Sequence, residues 1–151
     1  MNQWRSVDEA LNFAIDNEIQ AYEFYTEWAG RVDDAHTKKI FLENAKEEQG
    51  HRAKLEAIKS GKKLLSAEKK VLDLKISDYL VEVQPKSEMD FQSALILAMN
   101  REKAAFRLYS DLAAQTDDSD LRGTFLGLAQ EEAGHKLRFE LQYDDEIYKE
   151  N

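Results

Sequence analysis

The sequence contains no cysteine among its 151 residues, and this absence excludes several classes of site. Without thiols the chain cannot form disulfides, thiolate zinc sites, iron–sulfur clusters or thiol nucleophiles. Histidine and carboxylate side chains are therefore the only strong protein ligands left for a transition metal. One proline and six glycines are few for this length, which favours a helical protein.

Positive charge and long apolar runs are also scarce. The chain carries 21 Lys and Arg against 30 Asp and Glu, for a formal net charge of -9. This acidity argues against nucleic-acid or anionic-membrane partners. No run approaches the ~18 apolar residues of a membrane-spanning helix, and no basic segment followed by an apolar stretch opens the chain. We therefore expect a cytoplasmic protein with a single domain.

Two long segments of the chain repeat each other at an offset of 84 residues. Residues 10–51 and 94–135 share 16 identities in 42 aligned positions. Only two copies occur, and the period is longer than the 20 to about 50 residues of solenoid repeats. The pattern therefore predicts a duplicated half-bundle, in which one helical hairpin is used twice.

Apolar residues recur at helical spacing in four segments, each preceded by polar capping residues. The motif Ser6-Val7-Asp8-Glu9 is typical of a capping box and predicts a first helix over residues 6–31. Asp33 and Asp34 mark the turn into a second helix, which ends near Gly61. The starts of the third and fourth helices are predicted at Asp90 and at the turn formed by Asp117, Asp118 and Ser119.

Residues 62–89 do not follow this helical pattern. Leu72, Leu74 and Ile76 alternate with charged residues, which predicts an extended segment. Residues 77–80 can form one helical turn, and Pro85 ends it. A connection of this length can run the height of a bundle, so we expect a crossover that leaves the second and third helices parallel.

The predicted fold class is all-α: a four-helix bundle made of two duplicated hairpins, over about 6–61 and about 90–148, joined by the crossover. Residues 143–151, rich in Asp, Glu and Tyr, are expected to fray or to dock on a partner. The third helix is expected to bury an apolar stripe that includes Phe106.

Four glutamates and two histidines occupy matching positions in the two repeats. Each copy has a lone glutamate, followed thirty residues later by a Glu-x-x-His segment. The lone glutamates stand where the apolar stripe requires an apolar residue, and in each Glu-x-x-His segment the two side chains share the core-facing side of the helix. The six residues are Glu18, Glu48, His51, Glu102, Glu132 and His135.

Four ionised carboxylates together in a core would cost several kcal/mol per charge without compensation. Two divalent cations would neutralise all four, so the sequence predicts a two-metal site. Oxygen and imidazole ligands suit Fe(II), Mn(II) or Zn(II), and a carboxylate-bridged pair of redox-active metals suits dioxygen or peroxide chemistry. A single Glu-x-x-His segment is usually a solvated surface pair, but chance does not explain six matched residues on the core face.

Several neighbours of these residues have two interpretations. Glu47 and Glu131 point about 100° away from the ligands, so they are flank residues or acceptors for an imidazole N–H. Tyr25 and Tyr109 lie two turns after the lone glutamates, either as core aromatics or as hydrogen-bond donors to a ligand carboxylate or bound oxidant. His36, the third histidine, has no repeat partner and is expected at the surface. The glycines in the two Glu-x-Gly-His segments, Gly50 and Gly134, suggest close packing beside the site.

At these residues the chain resembles the ferritin-like di-iron carboxylate proteins, and most of all the rubrerythrin family. The shared features are the paired Glu-x6-Tyr segments, the Glu-Glu-x-Gly-His segments and the crossover over residues 73–78. The resemblance implies a ferritin-like bundle that binds two iron ions, with manganese or zinc as alternative occupants in purified protein. It also implies terminal ligands at Glu18 and Glu102, metal-bridging ligands at Glu48 and Glu132, and one capping imidazole per metal from His51 and His135.

The resemblance further implies a homodimeric oxidoreductase that reduces hydrogen peroxide, or oxidises Fe(II) with dioxygen. Rubrerythrins usually carry a cysteine-ligated rubredoxin iron site, which this sequence lacks, so an external electron donor such as rubredoxin is required. They also usually carry an extra carboxylate one turn after the third-helix glutamate, where this chain has Ala105; its ligand set is therefore symmetric. The alternatives are a ferritin-type storage protein, a non-catalytic metal-carrying or regulatory bundle, and a dimanganese catalase.

Overall fold

The computed structural model describes residues 3–81, 85–86 and 88–150, and every regular element within them is a helix. Four long helices build the bundle: α1 (Val7–Arg31), α2 (Ala35–Ser60), α4 (Phe91–Gln115) and α5 (Ser119–Glu150). A short helix α3 (Glu68–Leu72) and two 3-10 turns (Leu65–Ala67 and Ile76–Tyr79) lie between α2 and α4. The predicted all-α bundle of two joined hairpins is confirmed.

Side-chain caps fix where the long helices begin. Ser6, Asp34 and Asp90 each accept a hydrogen bond from the backbone N–H three residues on, which satisfies a donor that the first helical turn leaves free. Asp118 accepts from the N–H of Leu121 at 3.1 Å in the same way. These starts agree with the sequence prediction because each depends on a local interaction.

Contacts at the two ends of the bundle establish its topology. At one end, Arg31 of α1 donates to the carbonyl of Met89, just before α4, at 3.3 Å. At the other end, Trp4 stacks on Tyr79, whose hydroxyl donates to Asp111 in the last part of α4 at 2.6 Å. Helices α1 and α4 are therefore antiparallel, and since α2 is antiparallel to α1, α2 and α4 run parallel as predicted.

The connection between the hairpins is more helical than the sequence suggested. Leu72 ends α3 and Ile76 begins a 3-10 turn, so the predicted extended segment is wrong. The reason is the four-residue spacing of Ala67 and Val71, which turns both onto the apolar core. The predicted turn beginning near residue 77 is present, and residues 82–84 and 87 of the predicted crossover lie outside the described residues.

The last helix extends beyond its predicted end. Thr37 of α2 donates from its hydroxyl to the buried Gln142 at 3.0 Å, and α5 continues to Glu150. The expectation that residues 143–151 fray is therefore wrong for the part that the structure describes, because α5 is tied to the start of α2 where fraying was expected to begin.

Two apolar clusters fill the bundle, one towards each end. The first surrounds Leu11, Leu55, Tyr109 and Phe125. The second is mostly aromatic and contains Tyr25, Trp28, Phe41 and Phe139. Between them the four long helices carry buried polar residues.

One residue of the predicted apolar stripe lies at the surface. Phe106, expected in the core, is 42% exposed because it lies at the solvent edge of α4.

Among the described residues, no helix is both long and apolar enough to cross a membrane.

The two glycines that follow the α2 and α5 glutamates do not pack closely. Gly50 and Gly134 lie on exposed faces, and a Cβ added at either would meet nothing within 4 Å beyond the helix's own backbone. Neither has a positive φ. The expectation of close packing beside the site is therefore wrong, and these glycines only weaken their helices.

We expect Gly50→Ala and Gly134→Ala each to raise the free energy of unfolding by about 0.5–1 kcal/mol, because alanine costs less backbone entropy in a helix interior. Urea unfolding followed by circular dichroism measures the change. Gly61→Ala is the control, since its Cβ would lie 3.2 Å from the carbonyl oxygen of Ala57 and should give no such gain. Destabilisation by either helical substitution would contradict the open packing.

Candidate metal centre

The layer between the two apolar clusters contains all six predicted ligand residues. Helices α1 and α4 each contribute one glutamate, and α2 and α5 each contribute a glutamate and a histidine three residues apart, which places both on one side of the helix. None is more than 2% exposed. The six are Glu18, Glu48, His51, Glu102, Glu132 and His135.

Their ligand atoms form two overlapping groups. One consists of Glu18, Glu48, His51 and Glu132, and the other of Glu48, Glu102, Glu132 and His135; within each, the donor atoms lie within 4.8 Å of one another. Two carboxylates, Glu48 and Glu132, belong to both groups. They therefore occupy the positions from which a carboxylate can bridge two ions.

Distances to the imidazoles show how tightly the groups converge. The Nδ1 atom of His51 lies 2.9 Å from Glu132 Oε1 and 3.2 Å from Glu48 Oε1. The Nδ1 atom of His135 lies 3.3 Å from Glu48 Oε1 and 3.6 Å from Glu132 Oε1. The two imidazole rings are nearly parallel, with centroids 5.9 Å apart.

One buried atom from each of the six residues lacks a hydrogen-bond partner among the described residues. Buried polar atoms are almost always satisfied, so six unsatisfied atoms that converge on one place indicate a site for another kind of partner. Four carboxylate oxygens and two imidazole nitrogens fit a pair of divalent transition-metal ions. The atoms are Glu18 Oε2, Glu48 Oε1, His51 Nδ1, Glu102 Oε2, Glu132 Oε1 and His135 Nδ1.

Both tyrosines contact ligand carboxylates of the opposite hairpin. Tyr25 of α1 donates from its hydroxyl to Oε1 of Glu102, and Tyr109 of α4 donates to Oε1 of Glu18 at 2.5 Å. Of the two interpretations of these residues, the hydrogen bond to a carboxylate is the one the structure adopts. Each bond holds the outer oxygen of a glutamate and leaves its Oε2 directed towards the metal positions.

The histidines are oriented in the same crosswise way. The Nε2–H of His51 donates to Glu131 of the second hairpin, and the Nε2–H of His135 donates to Glu47 of the first. A proton on Nε2 leaves the Nδ1 lone pair free to bind a metal. Glu47 and Glu131 are thus acceptors for imidazole N–H groups, while His36 is exposed at the start of α2.

The surroundings of the two histidines are not equivalent. Arg138 donates to Glu47 at 3.3 Å and to Asn44 at 2.8 Å. The matching positions in the other repeat hold Lys54 and Leu128, so this bracing is present for only one of the two acceptors. The ligand set is symmetric, but its support is not.

Burial and mutual repulsion set the charges of the metal-free site. Burial, together with the charge of Glu48, raises the pKa of Glu18 to about 8, and burial likewise raises the pKa values of Glu102 and Glu132. Burial opposes ionisation of Glu48 as well, but the two nearby imidazoles lower its pKa to about 2. Without metal, burial therefore favours the protonated forms of Glu18, Glu102 and Glu132, whereas Glu48 stays ionised.

The imidazoles respond in the opposite sense. Burial alone would lower the pKa of His51, but the carboxylates of Glu18 and Glu48 raise it to about 11. Glu102 and Glu48 raise the pKa of His135 to about 10 against the same burial effect. Metal binding must therefore displace protons from histidine as well as from glutamate, so metal affinity rises with pH.

A cavity of about 270 Å³ reaches the site between α1 and α4. All four ligand glutamates line it, whereas neither histidine does. The connection segment Tyr79–Val81 and Arg101 also line it. Sequence reasoning missed these residues, because nothing in their local pattern shows that the connection passes over the site.

Comparison with known proteins places this architecture among characterised folds. The sequence model of the family Rubrerythrin matches residues 9–143. A candidate ferritin-like diiron-carboxylate protein from Thermotoga maritima has 21% identity and a TM-score of 0.77, over 97% of this chain and 99% of that chain. A hypothetical protein from Pyrococcus furiosus has 24% identity and a TM-score of 0.70, over 93% of this chain and 89% of that chain. The two structures share the fold, and no curated protein matches the sequence significantly.

Metal-free protein should lose stability as pH rises, whereas metal-loaded protein should gain it. The folded-state pKa of Glu18 lies near 8 against 4.5 for the free side chain, so its burial penalty grows from about pH 4.5 to pH 8. The raised histidine pKa values act in the same direction above pH 6.5, and the lowered pKa of Glu48 acts only below pH 4.5. Thermal melts between pH 5.5 and pH 8, with chelator or with bound metal, measure the two slopes.

The control for this prediction is the double substitution Glu18→Gln/Glu102→Gln, which removes two of the three carboxyl groups with raised pKa values. Its metal-free melting temperature should vary less with pH than that of the wild type. Equal slopes for wild type and double variant would show that buried carboxylates do not limit the stability of the metal-free protein.

Proposed function

We propose that this chain, which belongs to the rubrerythrin family, is a di-iron oxidoreductase that reduces hydrogen peroxide to water. The observation that carries the proposal is the pair of ligand groups that share Glu48 and Glu132, each with buried, unsatisfied donor atoms. When bound, two Fe(II) ions would supply the two electrons that cleave the O–O bond.

The protein's own contribution is to hold six ligands in one arrangement before a reactant arrives. Tyr25 and Tyr109 fix the outer oxygens of the terminal glutamates, and Glu131 and Glu47 fix the histidine tautomers. Such outer hydrogen bonds orient metal ligands and limit reorganisation during reaction.

The tyrosines also keep their own protons. Burial and the neighbouring carboxylates, Glu102 for Tyr25 and Glu18 for Tyr109, raise both pKa values well above the ordinary value. Each hydroxyl hydrogen therefore stays on its oxygen and continues to donate to the glutamate. This supports a positioning role for both tyrosines rather than a role as acid or base.

Oxidation of Fe(II) by dioxygen is the second candidate. The four ligand glutamates and the exposed Asp16 line this cavity together with one described cation, Arg101, so acidic side chains outnumber basic ones and attract metal cations. Such a path suits a protein that takes up Fe(II) as substrate. Hydrogen peroxide, being neutral, gains nothing from this charge.

Turnover requires a partner. The chain has no cysteine to hold a second iron centre, so we propose a separate electron donor such as a rubredoxin. The proposal further includes a homodimer that acts in the cytoplasm, where such a donor would be available.

Reconstituted protein should bind two iron ions per chain. Glu48→Ala and Glu132→Ala should each reduce the content to below one ion, because each residue belongs to both ligand groups, whereas Glu18→Ala should remove only one. Elemental analysis by mass spectrometry gives the counts, with the exposed His36→Ala as a control that should retain both ions. A wild-type content of one or fewer would reject the dinuclear site.

Hydrogen peroxide should oxidise the Fe(II)-loaded protein rapidly, with one peroxide consumed for two Fe(II), and the reaction should then stop until a reductant is added. Stopped-flow absorbance measures the oxidation, and His51→Ala or His135→Ala should abolish its fast phase while His36→Ala should not. Oxidation no faster with peroxide than with dioxygen would favour the Fe(II) oxidase. Sustained loss of peroxide without a donor would instead indicate a catalase.

A further inference from the structure

The cavity above the metal ligands is larger than hydrogen peroxide requires. Its volume is about 270 Å³, whereas one water molecule occupies roughly 30 Å³ in the liquid. Peroxide has only one more heavy atom than water. The volume approaches the lower end of the range for sites that hold organic ligands, about 300 Å³.

Small and apolar side chains produce this space. Ala21 and Ala105 lie one turn after Glu18 and Glu102, at matching positions in the two repeats, so neither helix blocks the approach to the site. Phe13, Leu80 and Val81 add further apolar surface to the wall. Asn17 and Gln20 line the cavity as well, so the apolar surface is one part of the wall, and that part favours a hydrocarbon chain over ordered water molecules.

Among the residues that the structure describes, one positively charged side chain lines the same cavity. Arg101 packs its guanidinium 5.3 Å from the ring centroid of Phe24 and forms no ion pair with any residue that the structure describes. Two bound divalent cations would balance the four ligand carboxylates, and Asp16 lies exposed at the rim, where solvent screens it. The metals would also neutralise Glu102, whose charge acts on Arg101, so Arg101 is then left without a counter-ion among the residues that the structure describes.

We propose that this cavity binds a small aliphatic carboxylate, with its anionic group at Arg101 and its hydrocarbon chain along the apolar wall. Guanidinium groups bind carboxylates with paired hydrogen bonds, which makes Arg101 the specificity-determining residue. The inference rests on the proposed function, because two bound metal ions are needed to neutralise the four ligand glutamates that line the cavity.

The length of the aliphatic chain distinguishes this site from simple anion binding to the metals. An anion held by metals alone would bind with an affinity independent of its hydrocarbon tail. A tail buried against the wall should instead increase the affinity by about three- to fourfold per methylene, until the cavity is full.

The experiment uses protein loaded with two Zn(II) ions, which are redox-inert, and titrates it calorimetrically with acetate, butyrate, hexanoate and octanoate. We expect Kd to fall with chain length, and 1-hexanol to bind at least about tenfold more weakly than hexanoate because it lacks the charge. A Kd that does not change from acetate to octanoate would overturn the inference.

Four substitutions, one of them a control, separate the contribution of charge from that of cavity volume. Arg101→Gln should weaken every carboxylate by about tenfold or more, and Arg101→Lys should restore part of the loss. Lys103→Gln is the charge-matched control, since Lys103 is exposed and does not line this cavity, and it should leave Kd unchanged. Ala105→Leu fills the wall, so it should preserve acetate binding but remove the gain from longer chains.

The zinc content of each protein is measured before titration, so that a failure to bind metal can be distinguished from a failure to bind the carboxylate. Failure of the wild type to hold two ions would overturn both the proposed function and this inference. Two bound ions together with an unchanged Kd in Arg101→Gln would overturn the carboxylate site alone.

Discussion

Four carboxylates buried in one layer of a small bundle are the constraint on which the rest of this structure depends. Their mutual repulsion and lost hydration must be compensated, and the chain provides two ways of doing so. Without metal, protons bind to the carboxyl groups whose pKa values burial raises, and Glu48 keeps its charge between two imidazolium groups. Bound metal cations would replace those protons. The apolar clusters on either side hold the layer in place.

The site also explains why the two hairpins must stay together. Each hairpin supplies a tyrosine and a glutamate that complete the ligand shell of the other, through Tyr25 to Glu102, Tyr109 to Glu18, and the matching bonds from the histidines. A single hairpin would leave these donors and acceptors buried without partners. The duplication therefore yields a closed bundle rather than two independent units, and the crossover only has to carry the chain from one hairpin to the next.

The sequence was sufficient to predict the features that depend on local chemistry or on the repeat. The capping residues Ser6, Asp34 and Asp90 showed where helices begin, and the core-facing glutamates with their Glu-x-x-His segments identified the residues that the structure brings together. Features that depend on contacts between distant segments could not be predicted in this way. The helical connection depends on packing of Val71 against the core, the continuation of α5 on the anchoring of Gln142, and the crosswise hydrogen bonds on the relative placement of the hairpins.

The candidate ligands are symmetric, but their surroundings are not, and this affects how a reactant can reach them. The Nε2 atoms of both histidines lie on the side of α2 and α5, where they contact Glu131 and Glu47. The cavity that reaches the ligands opens on the opposite side, between α1 and α4. A reactant that uses this cavity meets the carboxylate side of the site first, while the imidazoles remain fixed behind it. On the histidine side, Arg138 donates to Glu47, whereas the matching position near Glu131 holds Lys54, so the acceptors of the two histidines have different neighbours although the candidate ligands match. A symmetric ligand set thus lies in an asymmetric protein, and access from one side can be altered through Arg101 or Ala105 without replacing any of the six ligands.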